Sequence, residues 1–119
     1  MRAFRDLAVW RKAHRVTLDV YRDTKAFPKS ELYGLTSQIQ RAAASVCANI
    51  AEGCGRRGKA DFARFLQISL GSASELEYHL LLAKDLEMLE QVAYNPLAER
   101  VVEVKRMLTG LVRKLMADG

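Results

Sequence analysis

The chain has 119 residues, of which half are apolar and 28% are charged, and its formal net charge is +5. This length fits one domain, residues 1–119, and the composition is globular rather than disordered. The longest apolar run, Leu80–Ala83, is far shorter than the roughly 20 apolar residues that cross a bilayer. Charged residues close to Met1 argue against a secretion signal, and two cysteines are too few for a disulfide framework. We therefore expect a cytoplasmic protein without membrane contact.

The positive charge is concentrated in the first half of the chain. Residues 1–64 hold thirteen Lys and Arg against six Asp and Glu, whereas residues 65–119 hold six against eight. A basic half favours polyanionic partners such as nucleic acid. The alternative, which the sequence leaves open, is that the charge serves solubility and an internal dipole.

Apolar residues recur at helical spacing in four stretches, and no stretch alternates with the period of a strand. Pro28, Pro96 and the glycines from Gly53 to Gly58 separate these stretches. The pattern predicts helices at about Asp6–Lys25, Tyr33–Glu52, Ala60–Leu89 and Pro96–Ala117. Because the connections are short, we predict an all-α fold, an antiparallel four-helix bundle with up-down-up-down topology.

The first predicted helix has two neighbouring apolar stripes. One comprises Leu7, Trp10, His14, Thr17 and Tyr21, and the other comprises Val9, Ala13, Val16 and Val20. Together they cover about half of the helix surface, more than one seam of a bundle requires. We expect Trp10 to be a buried anchor. On the opposite face lie Arg11, Arg15 and Arg22, which are candidates for contacting nucleic acid.

The second and third predicted helices carry small or apolar residues on more than one face. The back of the second has Ser37, Ala44, Ala48 and Ala51, and the third adds Ile68, Gly71, Tyr78, Leu82 and Leu86 beside its core positions. A single bundle of this size cannot cover all of these surfaces, which favours self-association through the middle helices. The alternative is a second helix that lies at the centre of its own core.

The loop after the second predicted helix is rich in glycine and arginine. The segment from Gly53 to Gly58 matches G-x-G-x-x-G, but a dinucleotide site needs a preceding strand, and here a helix precedes. Arg56, Arg57 and Lys59 lie at the start of the third helix, whose free N–H groups attract anions, so a phosphate could bind there. In the alternative, the loop is a mobile basic segment and Gly53 simply ends the helix.

A polar stripe runs along the second predicted helix at steps of three and four residues. Its members are Gln38, Arg41, Ser45, Asn49 and Glu52. Buried polar groups need partners, and Glu75 and Glu77 of the third helix are available to pair with Arg41. We expect these residues to form a structural network between helices or subunits.

No catalytic, cofactor or metal site is predicted. Ser45 has no histidine at helical spacing that could serve as its base. The paired Glu-x-x-His motifs of di-metal bundles are absent, since His79 follows Glu75 by four positions, and Cys47 and Cys54 match no zinc spacing. We therefore predict a protein that is not an enzyme and needs no cofactor, and we assign no role to the cysteines.

Several segments carry a resemblance to a known family. They are Phe4, Leu7, Trp10, Lys12 and Ala13; Phe27-Pro28-Lys29; residues 33–38 with Arg41-Ala42; and, most specifically, residues 48–53 with Arg56, and residues 71–77. Along nearly its whole length the chain resembles the bacterial four helix bundle protein family, whose founding members are encoded by intervening sequences within the large-subunit ribosomal RNA gene. The resemblance implies a homopentameric ring, without enzymatic activity or cofactor. It also implies kinship with the pentameric accessory protein of diversity-generating retroelements, which binds nucleic acid and a reverse transcriptase.

Three hypotheses for function follow. The leading one is a homo-oligomer that binds RNA or DNA through basic surface pooled from several subunits. The second is an oligomeric scaffold that binds a protein partner and has no nucleic-acid role. The third, an enzyme, has little support in the residues.

Overall fold

The computed structural model describes residues 2–117, which form four long helices joined by short connections. α1 spans Ala8–Asp23, α2 Leu35–Cys54, α3 Lys59–Asp85 and α4 Gln91–Ala117, and short 3-10 turns occur at Phe4–Asp6, Thr24–Ala26 and Lys29–Glu31. Each helix packs against its neighbours in sequence, and α1 also packs against α4, which closes a bundle about 46 Å long. The predicted all-α four-helix bundle is confirmed.

The core is a continuous apolar interior to which all four helices contribute. Ile39, Ile50, Leu66, Leu80 and Leu108 are at most 1% exposed, and burying a side chain of this size contributes roughly 1.5–3 kcal/mol. The contribution of α1 is one of its two predicted stripes: Val9, Ala13, Val16 and Val20. Within residues 2–117, no helix has both the length and the apolar character that crossing a membrane requires.

The other stripe of α1 lies at the edge of the core, on the side of α2. Trp10 packs edge-to-face on Phe4 and stacks on His14, with ring centres 4.9 and 4.8 Å apart, and it is partly buried. Trp10 was predicted to be a buried anchor; it does pack against the core, but part of its side chain stays exposed.

Two of the predicted breaks lie inside helices. Gly53 belongs to α2, and it packs so closely on α3 that a β-carbon there would lie 2.9 Å from Cδ1 of Phe62. Glycine is needed at this position for close approach of two helices and not for a helix end. Pro96 lies inside α4, which begins at Gln91. A proline this close to the amino end removes one backbone hydrogen bond without ending the helix.

α3 ends at Asp85, earlier than the periodicity predicts. Glu87 adopts a left-handed conformation with φ of 62°. The N–H groups of Glu87 and Met88 donate to the carbonyls of Lys84 and Ala83, both at 2.9 Å. This pair of hydrogen bonds is a Schellman motif, which satisfies carbonyls at the end of α3 and turns the chain towards α4.

Candidate functional site

Five basic residues surround the loop between α2 and α3, and we call this surface the basic end: Arg2, Arg56, Arg57, Lys59 and Arg64. The N-terminal segment supplies Arg2, whose backbone N–H donates to the carbonyl of Cys54 at 3.2 Å. Its guanidinium lies 4.9 Å from the ring centre of Phe62, and those of Arg56 and Arg64 lie 4.6 and 4.5 Å from that of Phe65. Such cation–π contacts contribute about 0.5–1 kcal/mol each at exposed sites, and they hold the guanidiniums in place.

The amino end of α3 lies within the basic end. α3 begins at Lys59; its N-cap residue, Gly58, provides no side-chain cap, and the acidic Asp61 lies in the first turn. The first N–H groups of a helix lack intrahelical partners and carry the positive end of the helix dipole. An anion bound here would satisfy these groups and relieve the repulsion between the dipole and the basic side chains.

Two carboxylates offset part of this charge. Arg56 lies 3.5 Å from Glu52 and 3.9 Å from Asp61, and Arg64 lies 3.0 Å from Asp61. All four side chains are at least 40% exposed, so each pair contributes only about 0–1 kcal/mol. Arg57 forms no ion pair or hydrogen bond with the part of the chain that the structure describes. The basic end therefore keeps an excess of positive charge.

The predicted arginine face of α1 is exposed, and its members have different partners: Arg11, Arg15 and Arg22. Arg11 donates to the backbone carbonyl of Arg5 at 2.9 Å, beside the basic end. Arg15 and Arg22 lie 3.7 and 3.3 Å from the carboxylate of Asp19, and Arg22 also binds Asp23 at 2.9 Å. The hydrogen bond to Asp23, followed by the charges of Asp23 and Asp19, raises the pKa of Arg22.

Arg15 and Arg22 form a cluster with two residues that sequence reasoning missed, Asp19 and Arg100. Asp19 is only 3% exposed, and Arg100 reaches from α4 to donate a hydrogen bond to it. The sequence did carry one signal, because Asp19 lies at helical spacing from both Arg15 and Arg22. Arg100 is 81 positions away, so only the packing of α1 against α4 reveals its role.

The polar stripe of α2 faces α3 across an open groove of about 430 Å³. The hydroxyls of Ser45 and Ser72 lie 2.9 Å apart, and the amide of Asn49 donates to the carbonyl and hydroxyl of Ser45 at 2.9 and 3.0 Å. The groove is lined by Gln38, Arg41, Ala42, Ser45, Glu75 and His79. The structure thus brings most of the predicted stripe to one place, whereas Glu52 lies at the basic end.

Glu77, which the sequence offered as one possible partner of Arg41, does not pair with it in the subunit. Glu77 faces α4, where its carboxylate accepts a hydrogen bond from Lys105 at 2.7 Å. Two positions along a helix correspond to a rotation of about 200°, so Glu75 and Glu77 cannot face the same neighbour. Glu75 does line the groove with Arg41, but the two form no ion pair with each other or with any other residue from 2 to 117.

His79, to which the sequence assigned no role, lies in the same groove. Its Nδ1 atom is buried and has no hydrogen-bond partner among the described residues. The hydroxyl of Ser45 is bonded to Ser72 and Asn49 rather than to this imidazole. The arrangement therefore gives Ser45 no general base.

The backs of α2 and α3 are exposed in the single subunit. Ala44 and Ala48 lie on the surface, and Ile68 and Tyr78 are 43% and 57% exposed. A β-carbon at Gly71 would meet no atom within 4 Å. The alternative that places the back of α2 inside its own core is therefore wrong.

Cys47 and Cys54 are free thiols. Sγ of Cys47 lies 3.4 Å from the hydroxyl of Thr17, and burial raises the pKa of both thiols. From residue 2 to residue 117, no three His, Cys, Asp or Glu side chains meet in an arrangement that could hold a metal ion.

Comparison with known proteins places this chain in a family. The model of the 23S rRNA-intervening sequence protein family matches residues 5–110, from the 3-10 turn at Phe4–Asp6 into the second half of α4. The chain belongs to the 23S rRNA-intervening sequence protein family. This membership confirms the family resemblance of the sequence.

A solved structure supports the fold of this intervening sequence protein. A protein of unknown function from the S23 ribosomal protein family of Bacteroides thetaiotaomicron superposes with a TM-score of 0.80 and is 25% identical in sequence. The match covers 88% of this chain and 98% of that one, so the two share the same overall fold. No curated protein matches the chain significantly.

Proposed function

We propose that this intervening sequence protein is a non-enzymatic homo-oligomer, in the ring of five that its resemblance implies, which binds RNA or DNA through basic surface. The observation that carries the proposal is the basic end. Basic side chains from three separate segments converge there on the amino end of α3, and Glu52 and Asp61 offset only part of the charge of Arg56 and Arg64. Free backbone N–H groups and planar guanidiniums are both strong donors to phosphate.

The basic end continues into the arginine face of α1. Arg11 is hydrogen-bonded to the segment that carries Arg5, and Arg22 lies about 16 Å further along the helix axis, at 1.5 Å per residue. Successive phosphates of one B-DNA strand are about 3.4 Å apart along the axis. The arginine face of α1 therefore spans about five successive phosphates of one strand.

Assembly would repeat these surfaces. The exposed small residues on the back of α2, Ala44 and Ala48, and the exposed Ile68 and Tyr78 of α3 are the surfaces that we propose for the subunit seams. In a ring, several weak phosphate contacts act together through their high effective concentration. The ring would thus raise the affinity of a binding surface that is modest in each subunit.

Substitution of Ala48 tests the assembly. Because Ala48 is exposed in the subunit, Ala48→Arg should leave a folded, helical chain and should separate the oligomer by placing a charge in the seam. Circular dichroism would report the fold, and light scattering the mass. A wild-type protein that is monomeric at micromolar concentration would overturn the proposed assembly.

Two triple variants of equal charge test the nucleic-acid role. Arg56→Gln, Arg57→Gln and Lys59→Gln remove three charges from the basic end. The control variant replaces three exposed basic residues of α4, namely Arg106, Arg113 and Lys114. The probes are a fluorescent single-stranded RNA and a duplex DNA, titrated by anisotropy at several salt concentrations.

We expect the basic-end triple to weaken binding strongly and the control to weaken it little. Each phosphate contact that is lost should flatten the plot of log affinity against log salt by about 0.9 for duplex and about 0.7 for single strands. Equal loss in both variants would show that only net charge matters, and this would refute the basic end as the site. A wild type that binds neither probe at low salt would exclude the nucleic-acid role.

The protein-binding scaffold is the second candidate, and the groove between α2 and α3 favours it. Arg41 and Glu75 line this groove without ion-pair partners within residues 2–117, and the Nδ1 atom of His79 is unsatisfied there. Unpaired polar groups of this kind are suited to a partner that supplies complementary hydrogen bonds. An oligomer that ignored both nucleic-acid probes would make this candidate the leading one.

A further inference from the structure

Asp19 is a buried carboxylate that contacts guanidiniums from two helices. It is 3% exposed, it accepts a hydrogen bond from Arg100 of α4, and it lies 3.3 Å from Arg22 and 3.7 Å from Arg15 of α1. The three arginine side chains are themselves 48–68% exposed. A single buried acid thus holds three solvent-facing cations on one side of the bundle.

The number of arginines exceeds what a structural contact between α1 and α4 needs. Arg100 alone is sufficient to neutralise the charge of Asp19 and to connect the two helices. Arg15 and Arg22 add two further charges, of which Asp23 offsets one through its contact with Arg22. The cluster of three arginines and two aspartates therefore keeps a net positive charge.

The guanidiniums also keep unused hydrogen-bond donors. Each guanidinium has five N–H donors in a fixed plane, whereas Asp19 offers two acceptor oxygens to all three. An open pocket of about 230 Å³, bordered by Pro96 and Leu97, lies beside the cluster and gives a ligand access to these donors. Convergent, partly satisfied guanidiniums around such a pocket match the oxygens of a phosphate group.

We propose that Arg15, Arg22 and Arg100 form a second phosphate-binding site for the nucleic-acid backbone, and that Asp19 is the positioning residue that gathers them. This inference rests on the proposed nucleic-acid function and extends it to α4, where sequence reasoning placed no binding residue.

The direction in which a single substitution changes the affinity for nucleic acid tests the role of Asp19. If acids near the site acted only through their charge, both Asp19→Asn and Glu90→Gln would strengthen binding to a polyanion. If Asp19 positions the arginines, Asp19→Asn should weaken binding although it removes a negative charge. Glu90 is exposed, lines a neighbouring pocket together with Arg22 and forms no ion pair within residues 2–117. Glu90→Gln is therefore the matched control and should bind at least as tightly as the wild type.

The measurement is the anisotropy titration with fluorescent single-stranded RNA, at a temperature where circular dichroism shows each variant folded. We expect roughly three- to tenfold weaker binding for Asp19→Asn and for Arg100→Gln, with a flatter salt dependence as the phosphate contact is lost. If Asp19→Asn does not fold, the comparison of Arg100→Gln with Arg106→Gln, another exposed arginine of α4, decides the question.

Three results would overturn the inference. Asp19→Asn could bind as tightly as the wild type or more tightly, or Arg100→Gln could behave like Arg106→Gln. Either result removes the second site and leaves the proposed function intact, because the basic end would still account for binding. A wild type that binds no nucleic acid at low salt would remove the proposed function, and this inference with it.

Discussion

Replacing Gly71 with alanine tests whether this glycine matters for the fold of one subunit or for the contact between subunits. Gly71 lies in the interior of α3, and Gly110 lies in the interior of α4. At both positions an added β-carbon would meet no atom within 4 Å, so the fold of one subunit does not require either glycine. The two residues therefore form a matched pair, of which only Gly71 lies on a surface that we assign to a subunit seam.

In an isolated subunit both substitutions should stabilise the fold. Alanine in a helix interior is favoured over glycine by about 0.5–1 kcal/mol, because glycine loses more backbone entropy on folding. For a domain of this size the gain corresponds to a rise in Tm of about 2–4 °C. Gly110→Ala should show this rise and leave the mass of the oligomer unchanged.

In the assembled protein Gly71→Ala should have a second effect. Where two backbones approach closely, an extra methyl group overpacks the contact, typically at a cost of about 1–3 kcal/mol. That cost corresponds to a dissociation constant roughly 5- to 150-fold higher at each seam. Sedimentation velocity over a range of protein concentrations would measure dissociation, and thermal unfolding of the dissociated protein would measure subunit stability.

One outcome would refute this reasoning. If Gly71→Ala raised Tm as Gly110→Ala does and dissociated at the same concentration as the wild type, then α3 would not approach a neighbour at Gly71. The proposed seam would have to lie elsewhere on the surface.

Three further predictions concern the single subunit. Glu87→Gly should stabilise the protein by about 1 kcal/mol, because glycine adopts the left-handed conformation of Glu87 without strain. Denaturant titration would measure the change, and an unchanged or lower unfolding midpoint would contradict this prediction. Trp10→Ala should lower the free energy of unfolding by roughly 2 kcal/mol, because Trp10 is only partly buried. Truncation of a fully buried aromatic costs about 3–5 kcal/mol. A loss of about 3–5 kcal/mol for Trp10→Ala would show that the ring is more deeply packed. Burial raises the pKa of the Cys47 and Cys54 thiols, so their thiolate fraction at neutral pH is below that of an ordinary cysteine. Both should react slowly with iodoacetamide at pH 7 and faster as pH rises; modification at the rate of a free thiol would contradict the burial.

The sequence predicts the helices well because their apolar residues recur with the helical period over long stretches. The prediction fails where a glycine or proline lies inside a helix and does not end it. Gly53 is needed for contact with Phe62, and Pro96 lies inside α4, which continues through it. Neither feature can be read from the local pattern.

Prediction of the candidate sites depended on whether their members are close in sequence. Arg56, Arg57 and Lys59 lie within four consecutive positions, so their cluster was visible in the sequence. The pairs formed by Asp19 with Arg100 and by Glu77 with Lys105 join residues 81 and 28 positions apart. Such pairs depend on the rotation of one helix against another, which periodicity does not determine.

The close approach of Gly53 to Phe62 also bears on the order in which the bundle folds. This contact, together with the hydrogen bond from Ser69 to the Val46 carbonyl, joins α2 and α3 across a short loop. Closing a short loop loses less chain entropy than bringing α1 and α4 together from distant parts of the sequence. We expect the α2–α3 hairpin to form first and the contact between Asp19 and Arg100 to form last. The arginine cluster would then exist only after the bundle has closed, so nascent or partly folded chains would lack this phosphate site.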